Sequence, residues 1–263
     1  MTSHERAISL LGGAGAGAFG GLFGVGGGIF LVPVIAGPLG RTQHEAHGTS
    51  LAAISATALA GMVTYGLHGQ VDWLTAALAG PSCMLMARVG ARIASRMSTR
   101  NLKLAFAALL VVVAVRLLWK ADAGQAPFEH AALPVRVVFG LVLGAGVGLL
   151  AGVMGVGGGV IAVPAFTLLL GMSQQQAQGT SLALILLAAP VGALEHARRG
   201  NVVGPLAVWL GLGSVVGVLL AASLVQSAPG PLLTRGFAVF LLATALPMAY
   251  RELRPPASPP VRS

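Results

Sequence analysis

The sequence predicts an all-α integral membrane protein built from two related halves, and two observations carry this prediction: composition and an internal repeat. Hydrophobic residues make up 56% of the chain and charged residues only 9%, a balance that leaves a water-soluble fold without enough polar surface. Uncharged runs such as 105–115, 137–150 and 202–225 are long enough, singly or joined, to cross about 30 Å of hydrocarbon as helices. No stretch alternates apolar and polar residues as the strands of a membrane barrel would.

The repeat becomes visible when the sequence is shifted by 131 positions, from 24 to 155. Without a gap, this shift lays GVGGG at 24–28 on 155–159 and GTSLA at 48–52 on 179–183. Matching motifs at one constant spacing indicate that the repeat unit is half of the chain. We therefore expect one membrane domain made of two repeats, which are residues 1–131 and 132–263.

Each half is expected to contain a helix that leads to three consecutive glycines, a short helix after them, and three longer helices. The expected segments lie near residues 7–24, 28–39, 48–67, 72–95 and 102–119, and again near 135–155, 159–171, 179–198, 202–226 and 232–250. This pattern gives about eight to ten membrane segments, and it leaves open whether the short helices are re-entrant or full crossings. The first apolar stretch has a counterpart at 136–152, so we expect it to be a permanent segment and not a cleaved signal peptide.

The basic residues predict how the two halves are oriented. If the chain crossed the membrane once at each triple glycine, the basic cluster at 92–103 and the pair at 198–199 would lie on opposite sides, against the bias of Lys and Arg toward the cytoplasm. If the chain turns back at the glycines, the clusters gather on one side. We therefore expect inverted-topology repeats with both termini cytoplasmic. The two predicted sides hold Arg6, Arg41, Arg92, Arg96, Arg100, Lys103, Arg198, Arg199, Arg251 and Arg254, against Arg116, Lys120, Arg136 and Arg235.

The triple glycines predict a break in the helix at the same place in each half, since each glycine costs roughly 1 kcal/mol of helix stability relative to alanine. The short helix after each break begins with unpaired amides and the positive end of its dipole, which together can bind an anion. Packing of helices at small residues is the alternative for the glycines, and helix capping is the alternative for the hydroxyl residues that are predicted to open the next helices. The candidate substrate site comprises Gly26, Gly27, Gly28, Thr49, Ser50, Gly157, Gly158, Gly159, Thr180 and Ser181.

Four further residues are accessory candidates, namely His47, Gln178, Arg88 and Glu195. His47 and Gln178 occupy equivalent repeat positions beside the hydroxyl residues, where an interfacial side chain is the alternative to a ligand contact. Arg88 lies near a predicted helix end, where its charge can reach the membrane surface. Glu195 precedes two arginines at helical spacing, so a local ion pair is the alternative to proton coupling. His68 and His196 also lie near predicted helix ends, where an interfacial residue is the alternative to a proton relay.

The chain lacks the motifs of the common catalytic and metal sites. A single cysteine, Cys83, excludes an internal disulfide and any CxxC site, and there is neither a G-x-S-x-G nor an H-E-x-x-H sequence. We therefore expect no cofactor, no metal and no catalytic residue. The net charge of +9 does not indicate nucleic-acid binding, because the basic residues lie in breaks between apolar runs. The expected partners are the lipid bilayer and a small anion; coupling to a proton or sodium ion is left open, as is the oligomeric state.

The doubled motifs are similar to those of a known family. The pattern G-x-x-G-x-G-G-G-x-x-x-V-P occurs at 21–33 and 152–164, and A-x-G-T-S occurs at 46–50 and 177–181. Together they resemble the TauE/SafE sulfite exporter family, also called the toluene sulfonate uptake permease family, over nearly the whole chain. The resemblance implies a bacterial inner-membrane permease for sulfite, sulfonates or other small sulfur-containing or organic anions, such as a sulfoacetate-like compound. From the inverted repeats we expect alternating access, and from the missing catalytic motifs we expect that the protein is not an enzyme. The resemblance does not determine the substrate or the direction, and an anion channel is the alternative.

Overall fold

The computed structural model describes residues 1–94, 99–119, 132–154 and 157–253. Within these ranges it contains ten helices and no strand. The helices are α1 (Ser3–Phe23), α2 (Gly28–Ala36), α3 (Gln43–Leu67), α4 (Trp73–Ala94), α5 (Thr99–Trp119), α6 (Leu133–Met154), α7 (Gly159–Leu170), α8 (Gln174–Arg198), α9 (Gly204–Gln226) and α10 (Gly230–Leu253). Of the residues named above, Arg96, Lys120 and Arg254 lie outside the described ranges.

Five of the described helices are long and apolar enough to cross a membrane, namely α3, α6, α8, α9 and α10. Their outward faces carry large apolar side chains; in α9, for example, Leu220 and Leu224 are 65% and 68% exposed while Val218 is fully buried. An exposed apolar face of this size is unfavourable in water and favourable in lipid. The all-α integral membrane fold is therefore supported, while the total of eight to ten membrane segments stays a prediction.

The chain turns back on itself after α1. Gly24 ends the helix in a left-handed conformation, and α2 then returns along α1, because a Cβ built on Gly12 would lie 2.8 Å from the Val34 side chain. An ion pair of 3.5 Å between Arg41 and Glu5 shows that the chain has come back to the end at which α1 begins. The first half thus starts with a helical hairpin, as the sequence predicted, and α6 and α7 also pack together in the second half.

The main helix contacts come in pairs that exchange when the two halves are exchanged. The contact of α1 with α9 corresponds to that of α6 with α4. In the same way, α2 with α3 corresponds to α7 with α8, and α3 with α9 corresponds to α8 with α4. The two remaining pairs, α3 with α8 and α5 with α10, each join a helix to its own repeat counterpart. The two halves therefore interlock instead of standing side by side.

Helices α3 and α8 run antiparallel through the centre of this arrangement. Gly48, near the start of α3, packs against His196, near the end of α8; a Cβ built on Gly48 would lie 2.8 Å from His196 Cβ. Gly179, near the start of α8, packs in the same way against Tyr65, also at 2.8 Å. Glycine is required at both positions, since a Cβ would also collide with a loop carbonyl of the opposite half.

Both central helices begin earlier than the sequence predicted. Helix α3 is capped by Thr42, whose hydroxyl accepts from the Glu45 amide at 3.3 Å while the Glu45 carboxylate accepts from the Thr42 amide at 2.9 Å. In α8 the Ser173 hydroxyl accepts from the Gln176 amide at 3.2 Å. The predicted starts at residues 48 and 179 were wrong because the apolar pattern begins only there, whereas side-chain caps stabilise a polar first turn.

Candidate functional site

Both predicted helix breaks are present. Gly26 and Gly27 have φ of 72° and 83°, and Gly157 and Gly158 have φ of 86° and 73°. This left-handed conformation costs a residue with a Cβ roughly 1–2 kcal/mol, so glycine is the residue that the backbone requires. We call residues 26–28 the first break and residues 157–159 the second break.

The two breaks meet near the middle of the α3/α8 pair. Gly159, the first residue of α7, lies against the turn before α2; a Cβ built on it would lie 2.6 Å from the Gly24 carbonyl oxygen and 2.7 Å from Val25 Cα. Ile54 of α3 and Ile185 of α8 occupy equivalent repeat positions and contact both breaks. The predicted site glycines of the two halves are therefore brought together.

The two short helices start without side-chain caps. The residues before them, Gly27 and Gly158, have no side chain to offer, and the first helical residues Gly28 and Gly159 are buried. The first amides of a helix have no partner within the helix, and they form the positive end of its dipole. Two buried, uncapped helix starts of this kind can attract an anion through backbone N–H groups alone.

The two serines of the GTS motifs differ in their contacts. Ser181 donates to the Gly24 carbonyl oxygen at 2.8 Å and so holds the turn of the first hairpin. Ser50 is fully buried, and its hydroxyl has no hydrogen-bond partner in the described part of the chain. The repeat equivalent of Gly24 is Gly155, which lies outside the described residues. The two serines are therefore compared only within the described residues, where Ser181 has a partner and Ser50 has none.

The two threonines stabilise the other half of the protein. Thr49 accepts a hydrogen bond from the Val203 amide at 3.0 Å, at the start of α9, and Thr180 accepts one from the Asp72 amide at 2.9 Å, just before α4. The prediction that these residues open α3 and α8 was wrong, because they lie in the second turn. Their hydroxyls satisfy buried amides at the starts of helices in the opposite repeat.

A small, partly open cavity lies beside the second break. It reaches from Gly157 to His196, near the end of α8, and small apolar residues such as Ala151, Ala188 and Ala189 line it between these points. The cavity therefore joins one of the candidate site glycines to one end of the central helix pair. We call this end, which carries His47 and His196, the open end.

At the other end of the central pair, Tyr65 and Gln178 are fully buried. The Tyr65 hydroxyl lies 2.7 Å from the Gly21 carbonyl oxygen and 2.9 Å from Gln178 Oε1, and it donates to one of these acceptors at a time. Gln178 Nε2 donates to the Leu22 carbonyl oxygen at 2.8 Å. These bonds tie α3, α8 and the end of α1 together, so we call this the closed end.

Sequence reasoning missed Tyr65 altogether. Tyr65 and His196 occupy equivalent positions of the repeat, as do His47 and Gln178. Comparing repeat positions that differ, and not only those that match, would have found them. The sequence does show that two polar positions differ between otherwise matching halves, and this difference would have pointed to Tyr65 and His196.

The remaining accessory candidates lie around the open end. His47 Nε2 is 3.3 Å from Gln43 Nε2, while Arg88 is exposed. Glu195 accepts a hydrogen bond from Arg199 at 2.7 Å, which confirms the local ion pair that the spacing predicted. None of these three side chains contacts a break in the contacts recorded for the described residues, so they do not complete the glycine site.

Comparison with known proteins identifies relatives over most of the chain. The family model described as "Sulfite exporter TauE/SafE" matches residues 2–117 and 129–263. The chain is 29% identical to a probable membrane transporter protein of Xylella fastidiosa (strain 9a5c), over 96% of this chain and 98% of that protein. It is 28% identical to a probable membrane transporter protein of Haemophilus influenzae, over 92% and 97%, and 28% identical to the probable membrane transporter protein YunE of Bacillus subtilis, over 71% and 76%. No solved structure matches the chain.

Proposed function

The chain belongs to the sulfite exporter TauE/SafE family, and from this we propose that it is an inner-membrane permease for small sulfur-containing or organic anions, working by alternating access. Sulfite, a sulfonate and a sulfoacetate-like compound are the substrates we put first. The observation that carries the proposal is the meeting of the two uncapped helix starts, with Gly159 packed against Gly24 and Val25 beside a cavity.

The chemistry of the breaks fits an anion that must be released again. Backbone amides and helix dipoles attract negative charge without a fixed cation, so the bound state is not held by a full ion pair. Paired helix starts near the middle of the membrane serve the same purpose in other transporters built from repeats. The proposed binding residues are the glycines of both breaks and Ser50, while Thr49, Thr180 and Ser181 support the surrounding helices.

The difference between the two ends supports a carrier over a channel. A channel needs a continuous aqueous path across the membrane. Here the cavity reaches the second break from the open end, while the buried Tyr65 and Gln178 obstruct the closed end. One open and one closed end is the arrangement that alternating access requires of each of its states.

The proposed topology is a pair of inverted repeats, 1–131 and 132–263, that form one transporter domain. The antiparallel packing of α3 against α8 supports it, because these helices are repeat counterparts. Arg41 and Arg199 lie at the open end, and Arg136 lies at the closed end, where it pairs with the residue before α4 at 3.2 Å. By the bias of basic residues we infer that the open end and both termini are cytoplasmic.

The test is anion uptake by the purified protein in liposomes. Labelled sulfite, sulfate and a small sulfonate would be offered to the wild type and to Gly157→Ala. At this position a new methyl group has space, since the nearest atoms are 3.7 Å away, but it would project into the second break. We expect saturable flux in the wild type and a loss of about tenfold in the variant, the effect of ~1.4 kcal/mol of binding free energy.

Gly69→Ala is the matched control. Gly69 has φ of 68° and no atom within 4 Å of a built Cβ, so this variant carries similar backbone strain in a turn outside the site. Its flux should equal that of the wild type. An equal loss in both variants would assign the effect to strain, and no flux of any sulfur oxyanion under an imposed pH gradient or potential would remove the substrate assignment.

A further inference from the structure

The open end carries two histidines where the closed end carries a tyrosine and a glutamine. The 131-residue repeat relates His196 to Tyr65 and His47 to Gln178. At both ends the two positions face each other across the α3/α8 pair, since the start of each helix packs on the end of the other. The same pair of positions therefore differs in chemistry between the two ends.

The polar atoms at these positions are bonded at the closed end, whereas one ring nitrogen of each histidine is unsatisfied at the open end. Tyr65 and Gln178 bond to each other and to carbonyl oxygens of α1. His47 and His196 each have a buried Nδ1 without a hydrogen-bond partner in the described part of the chain. His196 also lines the cavity. Two unsatisfied ring nitrogens, one of them on a residue that lines a cavity, indicate a place for a ligand or a proton.

The charged groups around the histidines supply little negative charge to balance a protonated ring. His44 from α3 faces both rings, and His196 is faced by Glu195 from α8 and by Arg199, the residue after α8. Arg92 from α4 reaches this group through Glu195, and Glu195 is already paired with Arg199. The loop before α9 contributes the uncharged Asn201, whose carbonyl oxygen packs on Gly48. A proton on either ring is therefore best balanced by an anion that enters the cavity.

We propose that His47 and His196 form a proton-dependent anion-binding gate at the mouth of the cavity, which takes up a small oxyanion together with a proton from water on that side. The inference rests on the function proposed above. A protonated ring offers the anion a charge-assisted hydrogen bond, and by linkage the bound anion favours the protonated ring to the same extent. Without a proton and an anion, the two positions are free to approach each other as Tyr65 and Gln178 do.

The test is anion binding to the detergent-solubilised protein, read as the rise in unfolding temperature with increasing sulfate or methanesulfonate. Neither anion changes its charge between about pH 5 and about pH 8, while protonation of a histidine increases as the pH falls through this range. We expect wild-type affinity to be roughly tenfold tighter at the lower pH. His196→Gln and His47→Gln should each reduce this difference to less than about twofold, and the unfolding temperature without anion would report whether each variant is folded.

His68→Gln is the control, because His68 is an exposed histidine at the closed end whose Nδ1 lies 2.8 Å from the Thr64 carbonyl oxygen. This variant should keep the full pH dependence. Wild-type pH dependence in both gate variants would overturn the proposal. If the wild type binds the anion equally well at both pH values, the gate is refuted and the anion site is retained. If neither anion stabilises the protein, the gate is also refuted, and the liposome assay tests the transport function separately.

Discussion

The two ends of the central helix pair share a backbone arrangement and differ in how their polar side chains are used. At the closed end, Tyr65 and Gln178 are fully buried and bonded to α1. At the open end, the equivalent His196 and His47 keep an unsatisfied ring nitrogen each, and His196 lines a cavity. The repeat therefore provides two similar ends, and two residues make them unequal.

Polar pairs that are bonded at only one end can make a repeat protein favour one of two conformations. In the carrier proposed above, two identical inverted halves would make the two states equal in energy. The two donors of the closed end, the Tyr65 hydroxyl and the Gln178 amide, contribute about 1 kcal/mol each. Together they would shift the equilibrium of the proposed carrier by roughly thirtyfold toward the state in which this end is closed.

Transport should change most when the two ends are made alike. The double variant His47→Gln with His196→Tyr gives the open end the residues of the closed end. We expect these side chains to bond to each other and to the carbonyl oxygens of α6 that are equivalent to those of Gly21 and Leu22. Anion flux in liposomes should fall by roughly thirtyfold or more, because both ends are then held closed.

The unfolding temperature and a reverse variant test whether the loss of flux comes from closure. The unfolding temperature of the double variant should equal or exceed that of the wild type, which separates closure from misfolding. The reverse double variant, Tyr65→His with Gln178→His, should fold and keep measurable flux, because it removes a closure instead of adding one. Wild-type flux in the first variant would mean that the two pairs do not control access.

The helix breaks were predictable from the sequence because they depend on local chemistry. Three successive glycines destabilise a helix wherever they occur, and finding them twice at one spacing predicted both breaks. The ion pair of Glu195 with Arg199 was predictable for the same reason, since its partners are neighbours on one helix.

The contacts between the halves were not predictable in this way. Thr49 and Thr180 bond to amides of the opposite repeat, and Tyr65 meets Gln178 across 113 positions of sequence. Such partners are set by which helices interlock, and a propensity or motif carries no information about that. The early starts of α3 and α8 were missed because their capped first turns are polar and the apolar periodicity begins later.

Gly48 and Gly179 are equivalent glycines at the two ends, so substituting each of them tests whether the ends lose stability equally. Gly48→Ala and Gly179→Ala each place a methyl group against a carbonyl oxygen, that of Asn201 or of Gln70. Both variants should lose about 1–3 kcal/mol of stability from overpacking. The measurement is thermal unfolding in detergent, and the two losses should agree with each other.

Gly15→Ala and Gly146→Ala are the matched controls, since they are repeat counterparts within α1 and α6 with no atom within 4 Å of a built Cβ. Each should be neutral or gain up to about 1 kcal/mol from improved helix propensity. A large loss in only one of Gly48→Ala and Gly179→Ala would show that the ends differ in packing as well as in their polar pairs.

The smallest effect is expected at Glu195, and it decides which group at the open end responds to protons. Glu195→Gln removes an ion pair in which Arg199 is 46% exposed, and pairs of this kind contribute little because solvent screens them. Its repeat counterpart is Thr64, which bonds to its own helix at the Ala60 carbonyl oxygen. A coupling role for Glu195 would therefore have no equivalent at the closed end. We expect flux under an imposed pH gradient to change by less than about twofold in Glu195→Gln, with the pH dependence of anion binding retained. Loss of the pH dependence in this variant, with His196 intact, would move the proton-responsive group from the histidine pair to the carboxylate.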